Sequence, residues 1–344
     1  MEPQIGFCTN AVGARIAYAT LGQGSAWVLV PGYFAYISAF QTFPEAGQAL
    51  QRNARYHTQV FYDMGGTGLS DRNRTVFTLE SELRDLETVV DHLKLDRIVL
   101  LGNGPSGPVA IAYAAKYPER VTHLVLYGTY ACLGKYLSDE VRAAIVSLLR
   151  QPDNWAGRRL VLNLAASQAQ SDSLELLAAL VKEVATSEVA ANLMDMVFKY
   201  DVRNLCPLVK APTLVMHRKG DPLVDFKAGL ELASLIPNAR FVPLEGDMHF
   251  SILGDTESIE RNQLEFIGDP ITDDKTAKAA QPVAGDPVPK DSDTGKAASL
   301  SLVAESKPEQ KKENWLRMDN PLVFVIFAIL ASVIAGAILT LFKC

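Results

Sequence analysis

Across residues 1–268, short apolar runs alternate regularly with amphipathic stretches. The later runs are continuous and branched, as expected of parallel strands that are buried on both faces. The leucines and valines from Leu79 to Leu93 recur at spacings of three and four, which predicts one face of a helix. This alternation predicts an α/β fold with an open, mostly parallel sheet and helices on both sides. The predicted strands are Arg15–Thr20, Trp27–Val30, Gln59–Tyr62, Ile98–Leu101, His123–Tyr127, Thr213–Met216 and Arg240–Pro243.

Residues 138–200 interrupt the alternation with helical stretches and no convincing strand. The predicted helices are Asp139–Arg150, Trp155–Ala166, Ser173–Ala185 and Ser187–Tyr200. An all-helical insertion between two sheet strands is typical of a lid that shapes a pocket at the carboxyl edge of the sheet. We therefore expect a helical cap over about residues 132–205, with a small-molecule ligand or substrate in the pocket beneath it.

The C-terminal part of the chain differs from the rest in composition. Residues 269–319 are rich in Ala, Pro, Ser, Asp and Lys, which predicts a disordered linker. Residues 321–342 contain no charge, and as a helix they would span about 33 Å, the thickness of a bilayer core. Lys311, Lys312 and Arg317 precede this segment, and only Lys343 follows it. The sequence predicts a transmembrane tail anchor at 320–343, with the globular domain in the cytoplasm.

Charge and cysteine usage narrow the classes of partner. The formal net charge is −6 and no basic cluster stands out, which argues against nucleic acid as a partner. The four cysteines are far apart in the sequence and show no C-x-x-C spacing, so we expect neither a disulfide framework nor a zinc site. His57, His92, His123 and His217 show no metal-ligand grouping and are interpreted as structural. No cofactor is predicted.

Several motifs together resemble one family. They are FYDMGGTGLSDR, RIVLLGNGPSGPVAIAYAAKYPERVTHLVLYG, APTLVMHRKGDPLV and FVPLEGDMHF. Residues 5–268 are similar to the α/β-hydrolase family, in particular to bacterial hydrolases found beside adenylate-cyclase or LuxR-type modules. The resemblance implies an eight-stranded sheet, a helical cap and a Ser–Asp–His triad in that chain order.

The nucleophile position departs from the family pattern. The family carries G-x-S-x-G between a strand and a helix, with the serine on a strained turn. Counting back from Pro118 places that position at Gly104, which has no side chain to attack a substrate. The next residue normally lends its N–H to the oxyanion hole, but here it is Pro105, which has none. Ser106 could replace the nucleophile only if the turn slipped by two residues.

The other expected site residues are present. Asp221 and His249 follow the last two predicted strands, at the acid and base positions that the resemblance implies. The second oxyanion donor would come from the loop at Gly32, through the N–H of Tyr33.

Three hypotheses remain open. The protein is a hydrolytically degenerate binder of a small molecule or partner, an enzyme that uses Asp221 and His249 as a general-base dyad, or an esterase-like hydrolase that uses Ser106.

Overall fold

Eight strands pair into one sheet within residues 2–32, 37, 44–151, 175–176, 179–180 and 183–268, which the computed structural model describes. The strand order is β1-β2-β4-β3-β5-β6-β7-β8. The first two strands pair antiparallel at one edge, β2 also runs antiparallel to β4, and all the remaining pairs are parallel. The strands are β1 Gln4–Thr9, β2 Arg15–Leu21, β3 Ser25–Val30, β4 His57–Tyr62, β5 Ile98–Asn103, β6 Val121–Tyr127, β7 Thr213–Arg218 and β8 Arg240–Leu244.

Helices connect the parallel strands. The described helices are α1 Pro44–Asn53, α2 Leu79–His92, α3 Gly107–Lys116, α4 Asp139–Arg150, α5 Ser187–Lys199, α6 Phe226–Leu235 and α7 Thr256–Ile267. The first turn of α2 is fixed by a capping box in which the Thr78 and Ser81 side chains each accept the other residue's backbone N–H. The last helix ends at Gly268, whose φ of 85° is the left-handed conformation favoured at helix ends.

Alternate residues of the central strands point to opposite faces of the sheet and enter separate cores. Ile98 and Leu100 of β5 belong to a large core with α2 and α3, whereas Val99 and Leu101 belong to a second core that includes Ile259 of α7. All four side chains are buried, which explains why the strand sequence is continuously apolar. The predicted arrangement of a mostly parallel sheet with helices on both faces is confirmed.

The sequence located seven of the eight strands, and β1 was missed. Its residues are mostly exposed, because β1 lies at the edge of the sheet and only Cys8 is buried. Its apolar Ile5 and Phe7 are exposed, so β1 lacks the continuous buried apolar run by which the parallel strands were recognised.

Two of the described helices, α4 and α5, lie between β6 and β7, in the region of the predicted cap. Arg150 of α4 joins them, because it donates a hydrogen bond to Asn192 at 3.0 Å and lies 3.4 Å from Glu188 of α5. The observed bounds of α4 and α5 agree closely with two of the four helices predicted there. The predicted helix 155–166 lies outside the described residues.

The predicted linker at 269–319 and the predicted transmembrane helix at 320–343 also lie outside the described residues. In the part of the chain that the structure does describe, no helix combines the length and the apolar character required to cross a membrane.

Candidate active site

Gly104 forms a sharp turn between β5 and α3. Its φ is 53°, in the left-handed region that glycine adopts without strain, and a short 3₁₀ turn over Gly104–Ser106 leads directly into α3. Thr129 lies two residues after the end of β6, and its hydroxyl donates a 2.6 Å hydrogen bond to the Gly104 carbonyl oxygen, which fixes the turn. The first residue of α3 lies against the same side chain, because a Cβ added to Gly107 would overlap Thr129 Oγ1. The strand, turn and helix therefore have the geometry of a nucleophile elbow.

The open side of this turn faces the His249 imidazole. A Cβ added to Gly104 would lie 2.9 Å from His249 Nε2 and 3.5 Å from its Cε1. A side chain at position 104 would therefore point at the ring nitrogen, so the turn and the histidine have the relative placement of a nucleophile and its base. The ring is also closer than an ordinary Cβ contact allows, which means that it occupies space a side chain at 104 would need.

His249 is paired with Asp221. Its Nδ1 lies 2.8 Å from Asp221 Oδ2 and 3.1 Å from Oδ1. A carboxylate accepts hydrogen bonds only, so Nδ1 carries the proton and Nε2 of the neutral ring is the acceptor directed at Gly104. The Asp221 carboxylate is held in turn by the backbone N–H groups of Leu223 and Val224, at 2.9 and 3.0 Å. Sequence reasoning named both members of this pair, and the structure brings them together.

Two opposing effects act on the pKa of Asp221. Burial raises this pKa, because the side chain is only 1% exposed. The His249 ring and the Val224 N–H stabilise the ionised form, and their combined effect is larger, so the pKa of Asp221 is lowered overall. The acid is therefore charged at neutral pH, as a residue that orients a histidine must be.

A second histidine, His217, lies beside the same carboxylate. Its Nε2 is 3.5 Å from Asp221 Oδ2 but only 2.9 Å from the Val224 carbonyl oxygen, to which it donates. Burial lowers the pKa of His217, although Asp221 partly opposes that effect. His217 is therefore neutral at pH 7, and the histidine that forms a hydrogen bond with the Asp221 carboxylate is His249. This placement agrees with the structural role expected for His217.

Ser106 is buried and engaged with the backbone of Asn103. Its Oγ accepts a hydrogen bond from the Asn103 N–H at 2.8 Å and donates one to the Asn103 carbonyl at 3.0 Å. Both bonds close the 3₁₀ turn, and the side chain is 1% exposed. Within the described residues no hydrogen bond joins Ser106 to His249.

The expected oxyanion positions are only partly described. Pro105 occupies the second residue of the turn, and its ring lies against Gly32, where an added Cβ would be 3.7 Å from Pro105 Cγ. Pro105 has no N–H to offer an oxyanion. Tyr33, the other expected donor, lies outside the described residues.

A cavity of about 10 Å³ lies between this turn and the cap, at the lower limit of what one water needs. Tyr200 and three α5 side chains close it on the cap side, and Glu82 reaches it from α2. The full lining is Pro31, Gly32, Met64, Glu82, Pro105, Val109, Leu193, Met196, Val197 and Tyr200.

Sequence reasoning missed two charged residues near the site. Glu82 stands on the core-facing side of α2, four residues before Leu86, and it is buried. A charged residue on an otherwise apolar helix face was the available signal. Arg218 ends the apolar strand β7 and is also buried, and nothing in the sequence shows where its side chain turns.

Comparison with known proteins identifies the family. A sequence profile of the alpha/beta hydrolase fold matches residues 28–256, about two thirds of the chain. The chain belongs to the α/β-hydrolase family. This α/β-hydrolase is 28% identical over 238 residues to the protein named Serine hydrolase BPHL of Mus musculus, a match covering 65% of this chain and 75% of the relative.

Two further similarities agree with the α/β-hydrolase assignment. A 2-hydroxy-6-oxo-2,4-heptadienoate hydrolase of Pseudomonas putida is 32% identical over 129 residues, 37% of this chain and 46% of that relative. The solved structure of an esterase from Exiguobacterium antarcticum superposes with a TM-score of 0.70 at 20% identity, covering 77% of this chain and all of that one. The structural likeness at this identity concerns the fold alone.

Proposed function

We propose that this α/β-hydrolase-fold protein performs no acyl transfer and instead binds a small molecule under its cap. One observation carries the proposal: the position that faces His249 Nε2 is Gly104, where an added Cβ would lie 2.9 Å from the ring nitrogen. Acyl transfer requires an attacking oxygen or sulfur at that point, and glycine supplies neither. The named hydrolase relatives support the fold.

Pro105, the residue that follows Gly104 in the turn, supports the same proposal. In the family, the N–H of that residue stabilises the oxyanion, and loss of one such donor typically lowers the rate by about 10²–10³. Pro105 has no N–H, so a nucleophile restored at 104 alone would still act on a half-formed oxyanion hole. The two changes occur at adjacent positions of one turn and act on the same step.

Ser106 is a poor substitute for the missing nucleophile. Its hydroxyl proton is donated to the Asn103 carbonyl, and its oxygen accepts the Asn103 N–H. A serine nucleophile needs a base to accept its proton. To reach His249, Ser106 would have to give up both bonds that close its turn.

Covalent labelling with a fluorophosphonate tests the proposal on the full chain. We expect no labelling of the wild type or of Ser106→Ala, weak labelling of Gly104→Ser, and stronger labelling of Gly104→Ser combined with Pro105→Ala. The double variant regains both an oxygen and an N–H in the turn. Labelling of the wild type that disappears in Ser106→Ala would overturn the proposal and identify Ser106 as the nucleophile.

The intact pair of Asp221 and His249 keeps the general-base hypothesis open as a second candidate. The observation in its favour is the 2.8 Å contact that orients Nε2 of His249 as a free acceptor at the turn. This hypothesis predicts a turnover that His249→Ala removes and Ser106→Ala leaves intact.

We further propose that residues 320–343 anchor the protein to a membrane with its globular domain in the cytoplasm. The support is the uncharged run at 321–342 and the excess of basic residues on its N-terminal side. The bound molecule would then be captured close to a membrane surface.

A further inference from the structure

The Tyr200 hydroxyl has no hydrogen-bond partner among the described residues, although Tyr200 is only 4% exposed. Tyr200 lines the cavity under the cap directly. Buried hydroxyls are nearly always paired, so an unpaired one on a cavity wall indicates a place where a bound molecule supplies the partner. The hydroxyls of Tyr62 and Tyr130 are also buried and unpaired among the described residues, but neither residue lines the cavity.

The three hydroxyls and Glu82 form one electrostatic cluster. Burial raises the pKa of Tyr200 well above its usual value, and the negative charge of Glu82 adds to that rise. Burial likewise raises the pKa of Tyr62, with Glu82 as the next cause. The groups come from β4, α2, the segment after β6 and the end of α5, and two of them, Glu82 and Tyr200, line the cavity.

The two buried carboxyls next to this cluster, Glu82 and Asp85, share a single guanidinium. Arg74 lies 2.7 Å from Glu82 and 2.9 Å from Asp85, so one guanidinium is shared between two buried carboxyls. Asp85 has further donors in the Asn10 side chain and the Gly65 N–H, whereas the described residues offer Glu82 no second cation in contact. Buried charges need a partner of opposite sign. A proton on Glu82 or a cationic ligand could restore the balance.

We propose that the cavity under the cap binds a small primary amine with an apolar body, whose ammonium group pairs with Glu82 and is capped by the Tyr200 hydroxyl oxygen. This inference rests on the proposed function and names the class of ligand. Apart from Glu82 and Tyr200 the lining is apolar or backbone, which suits an apolar body. An anionic ligand would add to the negative charge of two carboxyls.

The cavity is smaller than such an amine, so binding must displace part of the cap. The side chains that close it, Leu193, Met196 and Val197, all belong to α5 and make apolar contacts in the core. When a ligand takes the place of these side chains, their apolar surface contacts the ligand and stays out of water. The free energy of burial is therefore largely kept. We expect α5 to move outward when the ligand binds.

Binding should also depend on pH. Burial raises the pKa of Glu82 to about 7, Arg74 opposes that rise and Asp85 adds to it. The charged or titratable groups that act on Glu82 or are acted on by it are Arg74, Arg84, Asp85, Tyr62 and Tyr200. An ammonium needs the ionised carboxylate, so affinity should rise from pH 6 to pH 8 while a primary amine stays protonated.

The experiment compares benzylamine, benzyl alcohol and benzoate, which share one apolar body, by calorimetry and ligand-induced thermal shift on the full chain. We expect benzylamine to bind at least about tenfold more tightly than the other two at pH 8. Glu82→Gln should remove that preference and Tyr200→Phe should weaken it. Glu80→Gln, at an exposed position of the same helix, should leave it unchanged. Each ligand-induced change in melting temperature is measured against the ligand-free value of the same variant. An effect of the substitution on stability is thereby distinguished from an effect on binding.

Stronger binding of benzyl alcohol or benzoate, or benzylamine binding that survives in Glu82→Gln, would overturn the amine inference and leave the proposed pocket in place. Absence of binding by all three probes would also overturn it. The fluorophosphonate result is independent of these outcomes, because it depends on the turn at 104–105 and requires no ligand under the cap.

Discussion

At Gly104 the backbone is held in a left-handed conformation that a side chain makes unfavourable. Family members that place serine at such a turn keep a strained residue for the sake of its hydroxyl. Glycine at φ 53° relieves that strain, and it also lets the His249 ring move closer to the backbone. A glycine at this position therefore combines the absence of an attacking group with an unstrained backbone.

Gly104→Ala should destabilise the protein by more than the conformational strain alone. The left-handed backbone costs a non-glycine residue about 1–2 kcal/mol, and the new Cβ would also press on His249. Gly13→Ala is the matched control, because Gly13 has a φ of 85° and nothing within 4 Å of an added Cβ. We expect the larger loss at Gly104 when the free energy of unfolding is measured by chemical denaturation. Equal losses of stability in the two variants would show that the His249 ring moves aside at no cost and would contradict this prediction.

The segment between β8 and α7, which carries His249, is held in place by one buried side chain. Arg218, at the end of β7, is 2% exposed, and no carboxylate among the described residues forms an ion pair with it. Its guanidinium instead donates to four backbone carbonyls on both sides of His249. They belong to Met248 at 3.0 Å, Phe250 at 3.5 Å, Leu253 at 2.8 Å and Asp255 at 3.2 Å. The histidine is thus positioned by its own segment as well as by Asp221.

Replacing Arg218 with methionine should release this segment. Four buried carbonyl groups would lose their donor, and we expect a loss of about 3–5 kcal/mol in the free energy of unfolding. Limited proteolysis should then cut between residues 245 and 256. Lys219→Met, at the exposed neighbouring position, should change stability by no more than about 0.5 kcal/mol. A protease pattern identical to the wild type would contradict this role for Arg218.

The sequence predicted the elements whose pattern is local, and it failed where a role depends on distant partners. The parallel strands were predictable because burial on both faces makes them continuously apolar, whereas β1 is exposed at the sheet edge. Asp221 and His249 were found through their order after the last two strands. The contacts of Arg218 with four carbonyls and the grouping of buried hydroxyls around Glu82 join residues far apart in the chain. No spacing in the sequence encodes those contacts.

At the scale of the whole molecule, the proposed tail would confine a ligand-binding domain to a membrane surface. A small amine with an apolar body partitions toward the surface of a bilayer, so the proposed site and the proposed anchor would act on the same population of molecules.

Membrane fractionation tests the anchor. We expect the full chain to sediment with membranes and to resist extraction at alkaline pH, because an uncharged span of 22 residues is long enough to cross the bilayer core. A chain that ends at Gly268, where α7 is capped, should remain in the supernatant. A full chain that stays in the supernatant would rule out the anchor, and a truncated chain that sediments would assign membrane binding to the globular domain.

The close approach of His249 to Gly104 has an evolutionary consequence. A single mutation that introduced serine at position 104 would meet an imidazole already occupying the space, beside a proline that has no N–H to donate to an anion. Acyl transfer at this turn would therefore require several coordinated changes, each of little advantage alone. A lineage that carries the proposed binding function would thus have no single-step route to that chemistry.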